Sequence, residues 1–327
     1  MINLSRLVFL RAVHRHGSVA AAARELGYTP SAVSQQIGRL QREAGVRLLE
    51  PVGRGVVLTD AALVLVDAAV SIDAAREVAR GRLEELAGGL TGTLSLACFP
   101  SAIRGVAAPA LGALAEAAPE LRVQLRELAP ELGLEAVASG YADVAIVHDW
   151  VHDRTTLAAG LEAVHLADDP VDLVVPASHR LAERRSVALS ETVGDVWVTD
   201  VSDSICTRWI LDLLNASTEN PGVDFRAEEY ASQVALVSAG LCVAVLPRLG
   251  RPALPDSVRV IPLRGPVPTR RFMAVYRTPT SRRPAIRRLI EALGKQAQAS
   301  PASGAPPAPA RTPRRAGPRR PRTPTAR

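Results

Sequence analysis

The sequence predicts an α/β protein: a small helical unit at the N-terminus, one long helix, then a body of alternating strands and helices large enough for two lobes. Three observations carry that prediction. Capped helical periodicity fills residues 4–43, an almost unbroken helical pattern spans 59–86, and strand and helix patterns alternate from about 93 to 299. With 327 residues, 47% of them hydrophobic, there is ample apolar material for packed domains, which excludes a wholly disordered chain. Aromatic residues are only 3%, so the cores must be aliphatic and aromatic platforms for single-stranded nucleic acid are not expected.

In the first unit, Leu7, Leu10 and Val13 form one helical stripe. Gly17 suits the left-handed end of that helix, and Ser18 can cap the next, which runs through Ala21, Ala22 and Leu26 to Gly27. Thr29-Pro30 is a cap followed by proline at the first helical position, where its missing N–H is harmless. A third helix is expected from there to about Glu43, ended by Gly45, and 46–58 reads as two short strands around Gly53-Arg54-Gly55. Thr59-Asp60 then opens the long helix. Its Leu65, Ile72, Val78, Leu83 and Leu86 leave more apolar surface than one short domain covers, so a second copy of the helix is the expected cover.

Gly88-Gly89 and Gly92 mark a hinge. Beyond it the patterns predict a strand at 93–98, a helix at 103–118, a strand at 122–128, a helix at 131–139 and a strand at 143–147. They continue with strands at 172–175 and 196–199, helices at 205–214 and 230–239, strands at 243–246 and 271–276, and a last helix at 284–297. Such alternation implies a parallel sheet with helices on its faces. Residues 300–327 hold eight Pro, seven Arg and no acid, a composition that cannot offset ordering entropy and is expected to be disordered, either as a solubilising extension or as a non-specific arm for DNA phosphates.

The net charge of +6 is mostly that tail; residues 1–60 carry +4 and 61–299 carry −5. Cys98, Cys206 and Cys242 are scattered and odd in number, which fits neither a disulfide framework nor a zinc spacing. No signal peptide or apolar span is legible, so a cytoplasmic protein away from the membrane is expected.

On the third helix, Val33, Ile37 and Leu40 share one face, while Ser31, Gln35, Gly38 and Arg42 lie near the opposite one. Small or planar hydrogen-bonding groups near a helix N-terminus suit the edges of base pairs in a major groove, with Arg39 and Arg42 placed for phosphates. Periodicity alone leaves an ordinary surface helix as an equal alternative.

The order of residues adds more. "GSVAAAARELGYTPSAVSQQIGRLQREAGVRLLEPVGRGVVLT" resembles the winged helix-turn-helix of LysR-type transcriptional regulators, and "GLEAVHLADDPVDLVVPASHRLA" and "VSAGLCVAVLPRL" are similar to recurrent segments of that family's effector domain. The resemblance implies a winged helix-turn-helix domain over 1–60, a linker and dimerisation helix with its hinge over 61–90, and a two-lobed domain of periplasmic-binding-protein type over 91–299. Lobe 1 is expected at about 91–160 and 268–299 and lobe 2 at 161–267, with crossings near 148–163 and 264–270. It implies a regulator that binds double-stranded DNA as a homodimer, or as a tetramer of two dimers, with RNA polymerase as a candidate partner. A small-molecule effector of unknown identity would sit between the lobes; no cofactor, metal or catalysis is expected.

Carried over, the resemblance makes Pro30, Ser31, Ser34 and Gln35 the groove-facing set and Arg54 the wing residue. Gln35 and Pro51 stand where the family often has basic residues, so two DNA contacts are expected to be missing. For the effector, Phe99, Pro100 and Ser101 follow the first strand of one lobe, and Thr199, Ser202 and Ser204 hold the equivalent place in the other. His148 at the cleft edge is assigned a ligand contact. His148 and His152, with Asp149 and Asp153, have an i, i+4 spacing but follow a strand, so a metal is not expected there. Cys206 falls near the reactive cysteine of peroxide-sensing relatives, yet no partner follows before Cys242, and an inert thiol is the favoured reading. The rival readings are an α/β enzyme, for which no nucleophile elbow or phosphate loop is found, and a transport-type solute-binding protein.

Overall fold

The computed structural model describes residues 2–52, 55–87, 90–150, 154–200, 211–212, 222–265 and 267–299. The chain opens with three capped helices. α1 (Leu4–His16) starts at Asn3, whose side chain accepts from the Ser5 amide, and ends at Gly17. α2 (Val19–Leu26) starts at Ser18, which accepts from the Ala21 amide, and α3 (Pro30–Ala44) starts at Thr29, which accepts from the Ala32 amide. The α2–α3 turn needs Gly27 at φ 69°, a left-handed conformation that strains residues with a Cβ. β1 (Leu49–Val52) and β2 (Gly55–Leu58) follow as an antiparallel ribbon.

Two aliphatic clusters hold this unit together. Leu7, Leu10, Leu40 and Leu48 pack on Ala62, Val66 and Ala69 of α4 (Asp60–Ala87), and Val13, Ala22, Ala23, Val33 and Ile37 form the other. α4 spans about 42 Å at 1.5 Å per residue. Only its first turns are needed for that core, and Val64, Val70, Leu83 and Leu86 remain exposed.

Lobe 1 follows as β3 (Gly92–Cys98), α5, β4 (Leu121–Glu127), α6 (Pro130–Ala138) and β5 (Val144–Trp150). α5 begins at Pro100, three residues before the expected start, and runs through a π-helical turn at Ile103–Ala107 into Ala108–Ala117. The remaining elements are β6 (Leu161–Pro176), β7 (Val196–Thr199), β8 (Gly222–Arg226), α7 (Tyr230–Ser238), β9 (Ala244–Pro247), β10 (Val258–Pro262), β11 (Thr269–Arg277) and α8 (Pro284–Ala299).

The sheet is mixed, which corrects the expectation of a parallel one. β3 pairs parallel with β4 and β5, whereas β11 lies antiparallel between β5 and β6. The antiparallel members are the strands by which the chain leaves for the second lobe and returns. β6 also corrects the lobe boundary and the first crossing. Its residues 161–170 pair with β11 in lobe 1, and 171–176 pair with β9 and β10 in lobe 2. The chain therefore crosses at Asp169-Pro170-Val171, inside one strand, and not at 148–163. Asp168-Asp169-Pro170 reads locally as a turn; a long-range partner for Asp169 lets it continue as strand. β8 and β10 are further strands that the sequence reading did not include.

Lobe 2 packs around Val171, Leu173, Val175, Trp197, Val243, Val245 and Ile261, while α8 returns to lobe 1 and buries Ile286, Leu289 and Leu293 there. The expected helix at 205–214 lies outside the described residues except for 211–212, which are helical; the Gly88-Gly89 hinge and the 300–327 tail also lie outside them. No helix among the described residues is long and apolar enough to cross a membrane.

Candidate nucleic-acid interface and interlobe cleft

α3 has two chemically distinct faces. Val33, Ile37 and Leu40 are buried, and Pro30, Ser31, Ser34, Gln35, Arg39 and Arg42 are all exposed. The Ser31 hydroxyl lies 2.9 Å from the Thr29 hydroxyl, and Arg42 Nε donates to the Gly38 carbonyl at 3.4 Å. Uncharged donors and acceptors thus occupy the first two turns and cations the later ones. Gln36, on the flank, accepts from Arg6 Nε at 3.2 Å. Gln41 Oε1 accepts from the Leu48 and Leu49 amides at 2.8 and 3.2 Å, fixing the start of the β-ribbon on the helix. The sequence reading missed Gln41, since nothing local shows that a helix glutamine reaches a backbone seven residues on. Arg54 lies outside the described residues.

Of the residues expected to meet an effector, Phe99, Ser101, His148 and Thr199 are all buried, Pro100 is half-buried, and Ser202 and Ser204 lie outside the described residues. Ser101 does not sit at an open helix end. Its hydroxyl accepts from Arg270 Nη1 at 3.1 Å, and Arg270 also reaches Asp169 Oδ2 through Nε at 3.0 Å and Nη2 at 2.6 Å. The other oxygen of Asp169 accepts from the Arg248 and Leu249 amides at 2.9 and 2.8 Å. The guanidinium carbon of Arg270 lies 4.7 Å from the Phe272 ring centroid and 5.5 Å from that of Phe99. Arg270 and Asp169, central to this site, escaped the sequence reading because they are 101 positions apart.

The segment after β9 closes over the same place. Leu249 enters the lobe 1 core, and Arg104 Nε donates to the Gly250 carbonyl at 2.9 Å. A Cβ at Gly250 would fall 1.9 Å from the Ser101 carbonyl oxygen, so only glycine permits this approach. His148 sits edge-on to Phe99, 4.8 Å between centroids. Burial, reinforced by the Arg270 charge, pushes its pKa well below 6.5, so the ring is neutral. Thr199 Oγ1 donates to the Asp200 carbonyl at 3.3 Å. Two open grooves among the described residues lie elsewhere, one between α5 and α8 and one beside Tyr276 and Ile290.

Asp149 is engaged by Arg271, at 3.0 and 2.6 Å, and by the Thr155 amide at 3.1 Å. That leaves it a structural anion; His152 and Asp153 lie outside the described residues. Burial, aided by Glu127, pushes the Cys98 thiol up to about 12, and burial pushes Cys242 up to about 11. Cys206 lies outside the described residues.

Residues 4–63 match the model of the bacterial regulatory helix-turn-helix protein, lysR family, and residues 87–298 match the LysR substrate binding domain. A hydrogen peroxide-inducible genes activator of Dickeya chrysanthemi is 28% identical over 282 residues, covering 84% of this chain and 90% of that protein. The DNA-binding transcriptional dual regulator OxyR of Escherichia coli is 27% identical over 301 residues, covering 89% and 95%. Among solved structures, a full-length OxyR variant from Pseudomonas aeruginosa superposes with a TM-score of 0.66 at 19% identity, covering 93% of this chain and 100% of that one. Full-length CbnR in complex with its target DNA gives 0.53 at 23% identity, covering 90% and 100%. The two matched domains span nearly all of the chain up to residue 298, and the chain belongs to the LysR family of ligand-responsive, DNA-binding transcriptional regulators.

Proposed function

We propose that the exposed face of α3 reads base edges, with Pro30, Ser31, Ser34 and Gln35 in the major groove, Arg39 and Arg42 on phosphates and Arg54 on the wing. The observation that carries this assignment is the division of α3, with Val33, Ile37 and Leu40 anchored in the core and every proposed contact on its described residues facing solvent. Two chains pair along the exposed apolar residues of α4, and two such dimers form the tetramer. RNA polymerase is the partner through which output changes. The cytoplasm is the proposed compartment.

A small molecule in the interlobe cleft is the proposed effector, with Phe99, Pro100, Ser101, His148, Thr199, Ser202 and Ser204 as its surroundings. To reach Ser101 it must displace the Arg270 hydrogen bond and separate Gly250 from α5, so an arrangement with the lobes parted is the one it favours. Only such unequal binding to two arrangements shifts their populations.

The α3 assignment is tested by gel shift over a salt series with the promoter-proximal DNA of its own gene. Arg42→Ala weakens binding to all sequences alike and lowers the salt slope by about one unit; Gln35→Ala changes sequence preference and leaves the slope unchanged. Identical behaviour of the two variants rejects the roles.

A further inference from the structure

A second buried charge cluster lies where α4 crosses lobe 1. Arg283, the residue before α8, is 1% exposed. Its Nε and Nη2 reach the two oxygens of Glu84 at 3.2 and 3.1 Å, and its Nη1 reaches Glu77 at 3.4 Å and Asp143 at 2.9 Å. Glu77, Gly81 and Glu84 follow i, i+4, i+7 spacing and so share one face of α4. Gly81 eases the approach, since a Cβ there would lie a tight 3.2 Å from Arg283 Cγ. The far oxygen of Asp143 accepts from the Ser95 amide at 2.8 Å and the Ser95 hydroxyl at 2.9 Å. Ser95 lies on β3, the strand that runs directly to Phe99 and Ser101 at the cleft.

A second tie sits nearby. Arg11 of α1 pairs with Asp73 of α4 and donates to the Ser139 carbonyl at the end of α6 at 3.1 Å. The linker helix is thus held to lobe 1 by side chains from both directions, through part-buried charge-assisted bonds.

We propose that Arg283 is a positioning residue that couples the cleft to the linker helix, through the continuous path Ser95–Asp143–Arg283–Glu84. A shift of β3 on parting the lobes moves Asp143, and Arg283 carries the shift to α4, whose pairing would set the spacing of the two DNA-binding domains. The inference rests on the proposed role of α4 as the dimer helix. The guanidinium makes four contacts to three carboxylates on two bodies, in a fixed planar geometry that the three donors of a lysine do not reproduce.

The test is amide hydrogen exchange of the free full-length protein, read over 77–87 of α4 and, as a control, over β5 and β11. Asp143→Asn alters the lobe side, where the carboxylate joins Arg283 to Ser95; Glu84→Gln alters the helix side. Each is expected to speed exchange in α4 about tenfold, the size of one lost charge-assisted bond, with β5 and β11 within about twofold of wild type. The double variant falls clearly short of the product of the two single effects, as coupled positions require. An Asp143→Asn result within about twofold of wild type in α4, a fully multiplicative double variant, or equal acceleration of β5 and β11 overturns the coupling. Sedimentation of the same samples separates the two readings: a monomer rejects α4 as the dimer helix, whereas the exchange result judges Arg283 by itself.

Discussion

Arg270→Met is the substitution that most sharply tests how the two lobes are joined. Asp169 is fully buried and receives two backbone N–H bonds and two from Arg270, which is itself 1% exposed. Taking Arg270 away leaves a carboxylate with only half its donors in a site walled by Phe99, Phe272 and Leu249. Breaking one side of such a pair costs about 3–5 kcal/mol, because the remaining charge stays desolvated. Against a total stability of about 5–15 kcal/mol, that removes from about a fifth of it to nearly all. Replacing both partners, Arg270→Met with Asp169→Asn, removes the stranded charge and is expected to recover most of the loss. Urea unfolding followed by tryptophan fluorescence is the assay, since Trp150 and Trp197 are both buried and sit in β5 and β7. A single-variant loss below about 1 kcal/mol, or a double variant no more stable than the single one, refutes the reasoning.

Further outcomes follow from other parts of the molecule. His148 is neutral when folded and its folded pKa lies below that of the unfolded chain, so the unfolded state binds the extra proton. Stability therefore falls as pH drops below 6.5, by up to about 1.4 kcal/mol per unit, and His148→Gln flattens that slope in urea titrations from pH 7 to pH 5. Cys98 and Cys242, held as thiols by burial, should resist iodoacetamide at pH 8 until denaturant is added, as peptide mapping would report. Val64→Glu with Val70→Glu places charge on exposed apolar sites of α4 and should shift sedimentation from the tetramer to a smaller species without loss of helical signal. An unchanged assembly would move the α4 interface elsewhere.

The N-terminal unit was the most legible part of the sequence, since each helix boundary there is a local event. Asn3 aside, its caps at Ser18 and Thr29 and its left-handed glycines at 17, 27 and 45 act within four residues of the groups they satisfy. The division of α3 into packed and exposed faces follows from the same short-range periodicity. The body was harder because its decisive residues act at long range. Leu161–Pro176 contains two adjacent aspartates and a proline, which locally signal a turn, yet Arg270 makes Asp169 acceptable inside a strand. Gly81 interrupts an otherwise good helical sequence, and what it faces, Arg283, lies some two hundred positions away. Ser101 read as an effector contact at the end of the first strand; Arg270 and Gly250, distant in sequence, approach it instead.

Selection of bound duplexes from a random pool by the full-length protein bears most directly on the assignment of α3 as the reading surface. A two-fold symmetric sequence should be enriched by the wild type, and Ser31→Ala with Gln35→Ala should enrich a different sequence or none while α3 remains folded. Recovery of the same sequence by both proteins, or no enrichment by the wild type at low salt, contradicts it.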